Sequence, residues 1–324
     1  MMRRMTRRRS AMVIAIVAAS VLDVGTVSSQ QPARPNSGLQ RILDSELARF
    51  PAKAGVWVKH LKTGEEAAVH ADDAFNSASV IKIPVMVLAF QMAERGELSL
   101  SQRVTINAAD IRGGSGVFRY NDPGLQPTFR DVLLQMIITS DNTATDIAIG
   151  KVGGVAPVNA WLATNGYGDA LKLNMTTAEL FAKYGALPQG TNPNDKTNND
   201  RAYWLGAMTP RATGRLLESI QRCNDGTATA PALAAQKSCA DMVRMMRAQQ
   251  SGARRLPHFL TVPVAHKTGD FPPVLANDVG IVFARSGPIV ISFFTNGIEG
   301  PYAEAEDRIG RVAQLIVEYF DGAQ

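Results

Sequence analysis

The feature that most constrains this chain is the position of its strand-like runs, which lie near both ends. "AGVWVKHLKTGEEAAVHA", from residue 54, alternates like two strands joined at "KTGE". Past residue 260, "FLTVPVAHKTGD", "NDVGIVFAR" and "GPIVISFFTNGIE" are apolar and rich in β-branched residues. "LQRILDSELARF" precedes the first pair with helical periodicity, and the amphipathic "YAEAEDRIGRVAQLIVEYF" follows the last strand. Both ends are expected to pack into one sheet-plus-helix domain, with the mostly helical middle inserted between them.

Within that middle, residues from about 80 to 94 are expected to form the most apolar helix. Pro84 fits only in its first turn, so the helix should begin near Ser79. "PTFRDVLLQMIITSDNTATDIAIGKVGG" reads as helix, break, helix, with Thr128 and Asp131 offering a capping box and the break at "TSDN". "GVAPVNAWLATNGYG" is a further helix, and Thr209-Pro210 opens another as N-cap and first helical residue. "GALPQGTNPNDKTNNDRA" is polar and rich in Asn, Pro and Gly, and is expected to be a loop.

The net charge of +5 is placed unevenly. Five of the 34 basic residues lie in "MMRRMTRRRS", and the first 29 residues hold a single acid, Asp23. Without them 29 basic residues face 28 acidic ones, so the charge does not argue for nucleic-acid binding. The basic start, the short apolar "AMVIAIVAASVL" and the small residues Val27 and Ser29 read as a secretory signal over 1–29, followed by a linker over 30–38. The expected location is periplasmic or secreted, with no stable membrane insertion after cleavage. In an exported protein Cys223 and Cys239 are candidates for a disulfide, the alternative being two buried thiols. The four histidines form no ligand-spaced pair, so neither metal nor cofactor is expected.

Three short motifs fall at structural breaks. Ser79 and Lys82 stand one turn apart at a helix start, Ser140-Asp141-Asn142 lies between two helices, and Lys267-Thr268-Gly269 lies on a strand. One Ser-x-x-Lys spacing is expected by chance in roughly every chain of this length. All three motifs, in this order and in these contexts, are far rarer. From about residue 39 onward the chain resembles the class A β-lactamase family, on "FNSASVIKIPV", "GGSGVF", "ITSDNTATDIAI" and "AHKTGD".

That resemblance implies a two-lobed serine β-lactamase-like α/β fold: an antiparallel sheet flanked by the terminal helices, plus an inserted all-α region. An α/β domain would comprise 39–74 with 262–324, and an all-α domain 75–261, with the cleft between them. It implies a β-lactam as small-molecule substrate, and a monomer is expected. Ser79 would be the acylated nucleophile and Lys82, desolvated and near other cations, its activator. Ser79 and Asp270 would supply oxyanion-hole N–H groups, Ser140 would relay a proton to the leaving nitrogen, and Asn142 would hold the acylamino side chain. Lys267 and Thr268 would bind the substrate carboxylate. Asp141 reads as a buttress for its loop.

The chain departs from the family in one place that matters. The Glu-x-x-Leu-Asn motif that supplies the deacylating base is absent, and the corresponding region is longer than usual. Its single glutamate, Glu179, is displaced by a couple of residues in a gapless alignment and is the candidate base. Lys82, Asp195 and Asp200 are the fallbacks. A strand arginine that assists carboxylate binding is replaced by Val279. The leading expectation is a serine β-lactamase with an altered loop. The alternatives are a D-alanyl peptide or ester hydrolase, a slowly deacylating penicillin-binding protein, or a non-enzymatic penicillin sensor. A sensor would be expected to carry an anchor and a signalling domain.

Overall fold

The computed structural model describes residues 38–229 and 232–322. The expected leader falls outside the described residues, as does all but the last residue of the linker. Among those described, no helix is long and apolar enough to cross a membrane.

The chain opens with α1 (Gly38–Leu47), then β1 (Lys53–His60) and β2 (Glu66–Val69), joined by the turn at "KTGE". It crosses to β3 (Phe75–Asn76) and enters the central helix α2 (Lys82–Glu94). Helices α3 (Phe129–Ile138), α4 (Asn142–Lys151) and α5 (Val155–Thr164) follow, then β4 (Leu171–Leu173), α6 (Thr177–Gly185) and α7 (Pro193–Asn199). β5 (Gly206–Met208), α8 (Pro210–Asn224) and α9 (Gln236–Arg247) lead back to β6 (Val264–Phe271), β7 (Leu275–Ala284), β8 (Gly287–Asn296) and α10 (Tyr302–Asp321).

The strands from the two ends join in one antiparallel sheet ordered β2-β1-β8-β7-β6. On one face Val56, Val58, Val282 and Ile291 pack with α1 and α10. On the other, Trp57, Val279, Ile281 and Val290 join the core built around α2 and α8. Burial on both faces is why these strands read as nearly continuous apolar runs. Every residue of α2 from Lys82 to Phe90 is buried, the state expected of a helix apolar all round.

Two features differ from the sequence expectations. A three-stranded sheet, β3-β5-β4, runs among the helices; its strands of two or three residues are too short to show a period. The polar stretch after residue 185 is not all loop. It holds α7, capped by the Asn192 side chain with Pro193 at the first position, and a 3-10 turn over Arg201–Tyr203.

Cys223, on α8, and Cys239, on α9, form a disulfide with Cα atoms 5.9 Å apart. A closed loop of about this length contributes roughly 3 kcal/mol in the chain-entropy account. Replacing both cysteines with serine should lower the unfolding free energy by about that amount in a denaturant titration. An unchanged midpoint and slope would show that the crosslink contributes nothing.

Candidate active site

The turn that carries Ser79 is held from three sides. A 3-10 turn, Ala78–Ile81, precedes α2, so Pro84 sits in the first turn of the helix, where its missing N–H leaves no bond unmade. Ala78 has φ +41°, a conformation disfavoured for residues with a Cβ, and Asn76 Oδ1 accepts its N–H at 3.1 Å. From β7, the buried Asn277 donates through Nδ2 to the carbonyls of Asn76 at 2.9 Å and Ser77 at 3.3 Å. Gly269 permits the close approach of β6: a Cβ there would lie 2.5 Å from the Ser77 carbonyl oxygen. Ser79 is left half-buried at the mouth of a cleft of about 410 Å³.

Behind it lies a chain of hydrogen bonds among buried groups. Lys82 Nζ donates to the Ser140 carbonyl at 2.6 Å, Ser140 Oγ at 3.1 Å and Asn142 Oδ1 at 3.1 Å. Lys267 Nζ approaches from β6 and donates to Ser140 Oγ at 3.0 Å and to the Thr268 carbonyl at 2.9 Å. Burial, and next the charge of Lys267, hold the Lys82 amine well below the usual lysine range. Burial also brings Lys267 down to about 8, against the opposing pull of Asp270. Ser140 Oγ therefore sits between two amines, able to accept from one and pass its own proton on.

The break between α3 and α4 makes this possible. Ser140 has φ +56°, which turns the chain so that both its carbonyl and its hydroxyl meet Lys82. Asp141 is a buttress: Oδ1 caps α4 at Ala144 N, and Oδ2 accepts the N–H groups of Val117 and Phe118, both at 2.7 Å. Gly116, at φ +108°, leaves room for it, since a Cβ there would lie 2.3 Å from Asp141. Asn142 lines the cleft, with Nδ2 donating to the Gly113 carbonyl at 3.0 Å.

On the opposite wall, β6 is the free edge of the large sheet. Ala276 exchanges both of its main-chain groups with Thr295 Oγ1 on β8. By the alternation of an antiparallel ladder, Asp270 opposite it turns its N–H away from β7, toward the cleft. Thr268 is fully buried and its Oγ1 shares a hydrogen bond of 2.7 Å with Ser251 Oγ. The Asp270 carboxylate meets Arg255 Nη2 and, at 3.3 Å, the Tyr302 hydroxyl.

The structure does not bring Glu179 to this site. It is the third residue of α6 and closes a capping box, accepting from Thr176 N at 2.7 Å and Thr176 Oγ1 at 2.9 Å on an exposed face. A carboxylate satisfied by its own helix terminus has no reason to swing inward. The fallback acids are also turned to other work. Asp200 caps the 3-10 turn and pairs with Lys196 at 3.1 Å, and neither Asp200 nor Asp195 lines the cleft. The wall that α6 presents consists of Thr177, Leu180 and Phe181.

Thr177, two residues before Glu179, lines the cleft and is a residue that the sequence signals missed. It is buried, and Oγ1 donates to the Asn142 carbonyl at 3.3 Å. Asp146, one turn beyond Asn142 on α4, sets its place by accepting from Thr177 N at 2.7 Å and Ala178 N at 2.9 Å. Arg112 Nε holds the same carboxylate at 2.8 Å.

A profile described as the β-lactamase enzyme family matches residues 37–320. The chain belongs to this family. β-Lactamase VEB-1 of Pseudomonas aeruginosa is 23% identical over 86% of this chain and 89% of its own length. The crystal structure of a β-lactamase from Sphaerobacter thermophilus covers 89% of this chain and 98% of its own, at 26% identity and a TM-score of 0.71. A variant of PBP-A, solved as an acyl-enzyme complex with penicillin G, covers 90% of this chain and all of its own, at 25% identity and a TM-score of 0.72. The α/β fold with its helical insertion is that of class A β-lactamases, and the protein is a member of the serine β-lactamase and penicillin-binding superfamily.

Proposed function

We propose that this protein opens β-lactam amides by acyl transfer to Ser79 and releases the acyl group slowly. One observation carries the second half: the cleft wall that α6 presents consists of Thr177, Leu180 and Phe181 and holds no carboxylate. In acylation, Ser79 Oγ attacks the lactam carbonyl carbon and gives up its proton to the neutral Lys82 amine. As the C–N bond breaks, the proton passes through Ser140 Oγ to the leaving nitrogen, yielding the ring-opened ester on Ser79. The outward N–H of Asp270 and that of Ser79 would stabilise the oxyanion. The penicillin acyl-enzyme of the related PBP-A variant supports the same step here. The disulfide supports an exported protein.

Mass spectrometry of the protein after penicillin treatment should show one adduct, on the peptide holding Ser79, that outlasts the mixing time by minutes or more. An adduct elsewhere would end the proposal.

Acylation should also fall as pH rises through about 8, where Lys267 loses the proton it holds toward Ser140. Lys267→Arg keeps its charge over this range, so the descending limb should vanish from a plot of acylation rate against pH. A limb that persists in this variant would assign it to another group.

A further inference from the structure

We propose that Asn76 is a positioning residue for acylation: tied to helix α7, it holds the Ala78–Ser79 peptide with the Ser79 N–H turned toward the oxyanion. The proposal rests on Ser79 acylation and adds to that step a residue and a helix that lie outside the three motifs. Asn76 is on β3, just before the turn that carries Ser79, and is only 3% exposed.

Every polar group of Asn76 has a partner, and the partners come from separate parts of the chain. Its Oδ1 accepts the N–H of Ala78 at 3.1 Å, and its Nδ2 donates to the Thr197 carbonyl on α7 at 3.1 Å. Its main-chain N–H donates to Asn296 Oδ1 at 3.2 Å, and its carbonyl accepts from Asn277 Nδ2 at 2.9 Å. A backbone N–H can only donate and a carbonyl can only accept, so the two side-chain partners require an acceptor and a donor on one short side chain. Asparagine supplies both. Aspartate would set an oxygen against the Thr197 carbonyl, and leucine would satisfy neither partner.

α7 is itself held down at this point. The Asn198 carbonyl accepts from Asn296 Nδ2 at 3.1 Å, and Asn198 Oδ1 accepts the Gly297 N–H at 3.1 Å. Thr197 is fully buried; its Oγ1 donates to the Pro193 carbonyl at 3.0 Å and shares a hydrogen bond of 2.7 Å with the Tyr184 hydroxyl. The amide of Asn296 therefore serves Asn76 and α7 together and closes a ring of contacts behind the nucleophile turn.

The consequence falls on Ser79. Ala78, at φ +41°, is held where a residue with a Cβ is disfavoured. Released from Asn76, it would relax toward negative φ, and the planar Ala78–Ser79 peptide would swing the Ser79 N–H with it. A displaced donor weakens the transition state, where charge develops on oxygen, more than it weakens binding of the uncharged carbonyl.

The test is Asn76→Leu in the full chain, which keeps the side chain's size and neutrality and removes both tethers. Acylation by benzylpenicillin is followed against its concentration by intact-protein mass spectrometry of quenched samples. Affinity for phenylboronic acid is measured alongside, because its boron takes an electron pair from a serine oxygen and forms a tetrahedral adduct that resembles the transition state. The plateau rate should fall by at least about tenfold with the half-saturation concentration unchanged, and the boronate dissociation constant should rise by a similar factor. A purely structural role would lower the thermal midpoint and leave boronate binding by the folded protein as it was. Asn198 does not line the cleft, so Asn198→Ala loosens α7 from a distance. It should raise the boronate dissociation constant by about threefold or more. A smaller fall in the Asn76→Leu plateau rate, an unchanged boronate affinity in that variant, or no change in Asn198→Ala would overturn the proposal. Asn198→Ala alone decides the matter should Asn76→Leu fail to fold. A wild type that takes up neither penicillin nor boronate would instead remove the Ser79 reading, and this proposal with it.

Discussion

Thr177→Glu should speed release of the acyl group by about 10²–10⁴-fold, the usual contribution of a positioned general base. Thr177 Oγ1 donates to the carbonyl of Asn142, the first residue of α4, whose Oδ1 in turn accepts from Lys82 Nζ. Thr177 lines the same cleft as Ser79, so a glutamate there would place a carboxylate in that cleft. Its main chain is already fixed by Asp146, so the new side chain would extend from a held position. The measurement is the decay of the penicilloyl adduct after excess drug is removed. Glu179→Gln is the control: it weakens a cap, which costs about 1 kcal/mol of stability, and should leave the decay rate unchanged. A slowed decay in Glu179→Gln, with no gain in Thr177→Glu, would return the base to Glu179.

Lys82→Met should reduce the rate of Ser79 acylation by about 10²–10⁴-fold while the protein stays folded. Methionine matches the length of lysine and suits a fully buried site, and the Ser140 carbonyl keeps the hydrogen bond from Ser115 Oγ at 2.7 Å. The amine's proton-accepting role is what is lost. Burial, and next the charge of Lys267, lower its pKa, so acylation in the wild type should rise as pH passes that lowered pKa. That ascending limb should be missing from the variant's residual activity. A variant that acylates at the wild-type rate would exclude Lys82 as the activator of Ser79.

The large sheet and the motif trio were legible because each left a local mark. Strands buried on both faces wrote apolar runs at both ends of the chain. Ser79, Ser140 and Lys267 each sit at a feature that the sequence also shows: a helix start marked by Pro84, a turn between helices, and a strand with a glycine where the Ser79 turn packs. Glu179 is expected at the cleft on a search for a carboxylate alone, and the structure holds it at the start of its own helix instead. "TTAE" is also a capping box, a bond between neighbours that forms wherever the helix begins. α7 was hidden by a composition that suits loops, although Asn192-Pro193 carries a helix-start signal. The Arg255 cluster was not readable at all, since Asp270, Tyr302 and Glu306 are joined only by tertiary folding.

The central claim is that Ser79 takes the acyl group and, with no carboxylate on the cleft wall that α6 presents, gives it up slowly. Rapid mixing with nitrocefin, with product absorbance and intact mass followed together, tests both halves at once. The account predicts a burst of one product equivalent per protein, matched by an adduct on the Ser79 peptide, then a much slower steady state with the adduct still in place. Fast linear turnover with no accumulated adduct, or a burst whose adduct lies on another residue, would contradict it.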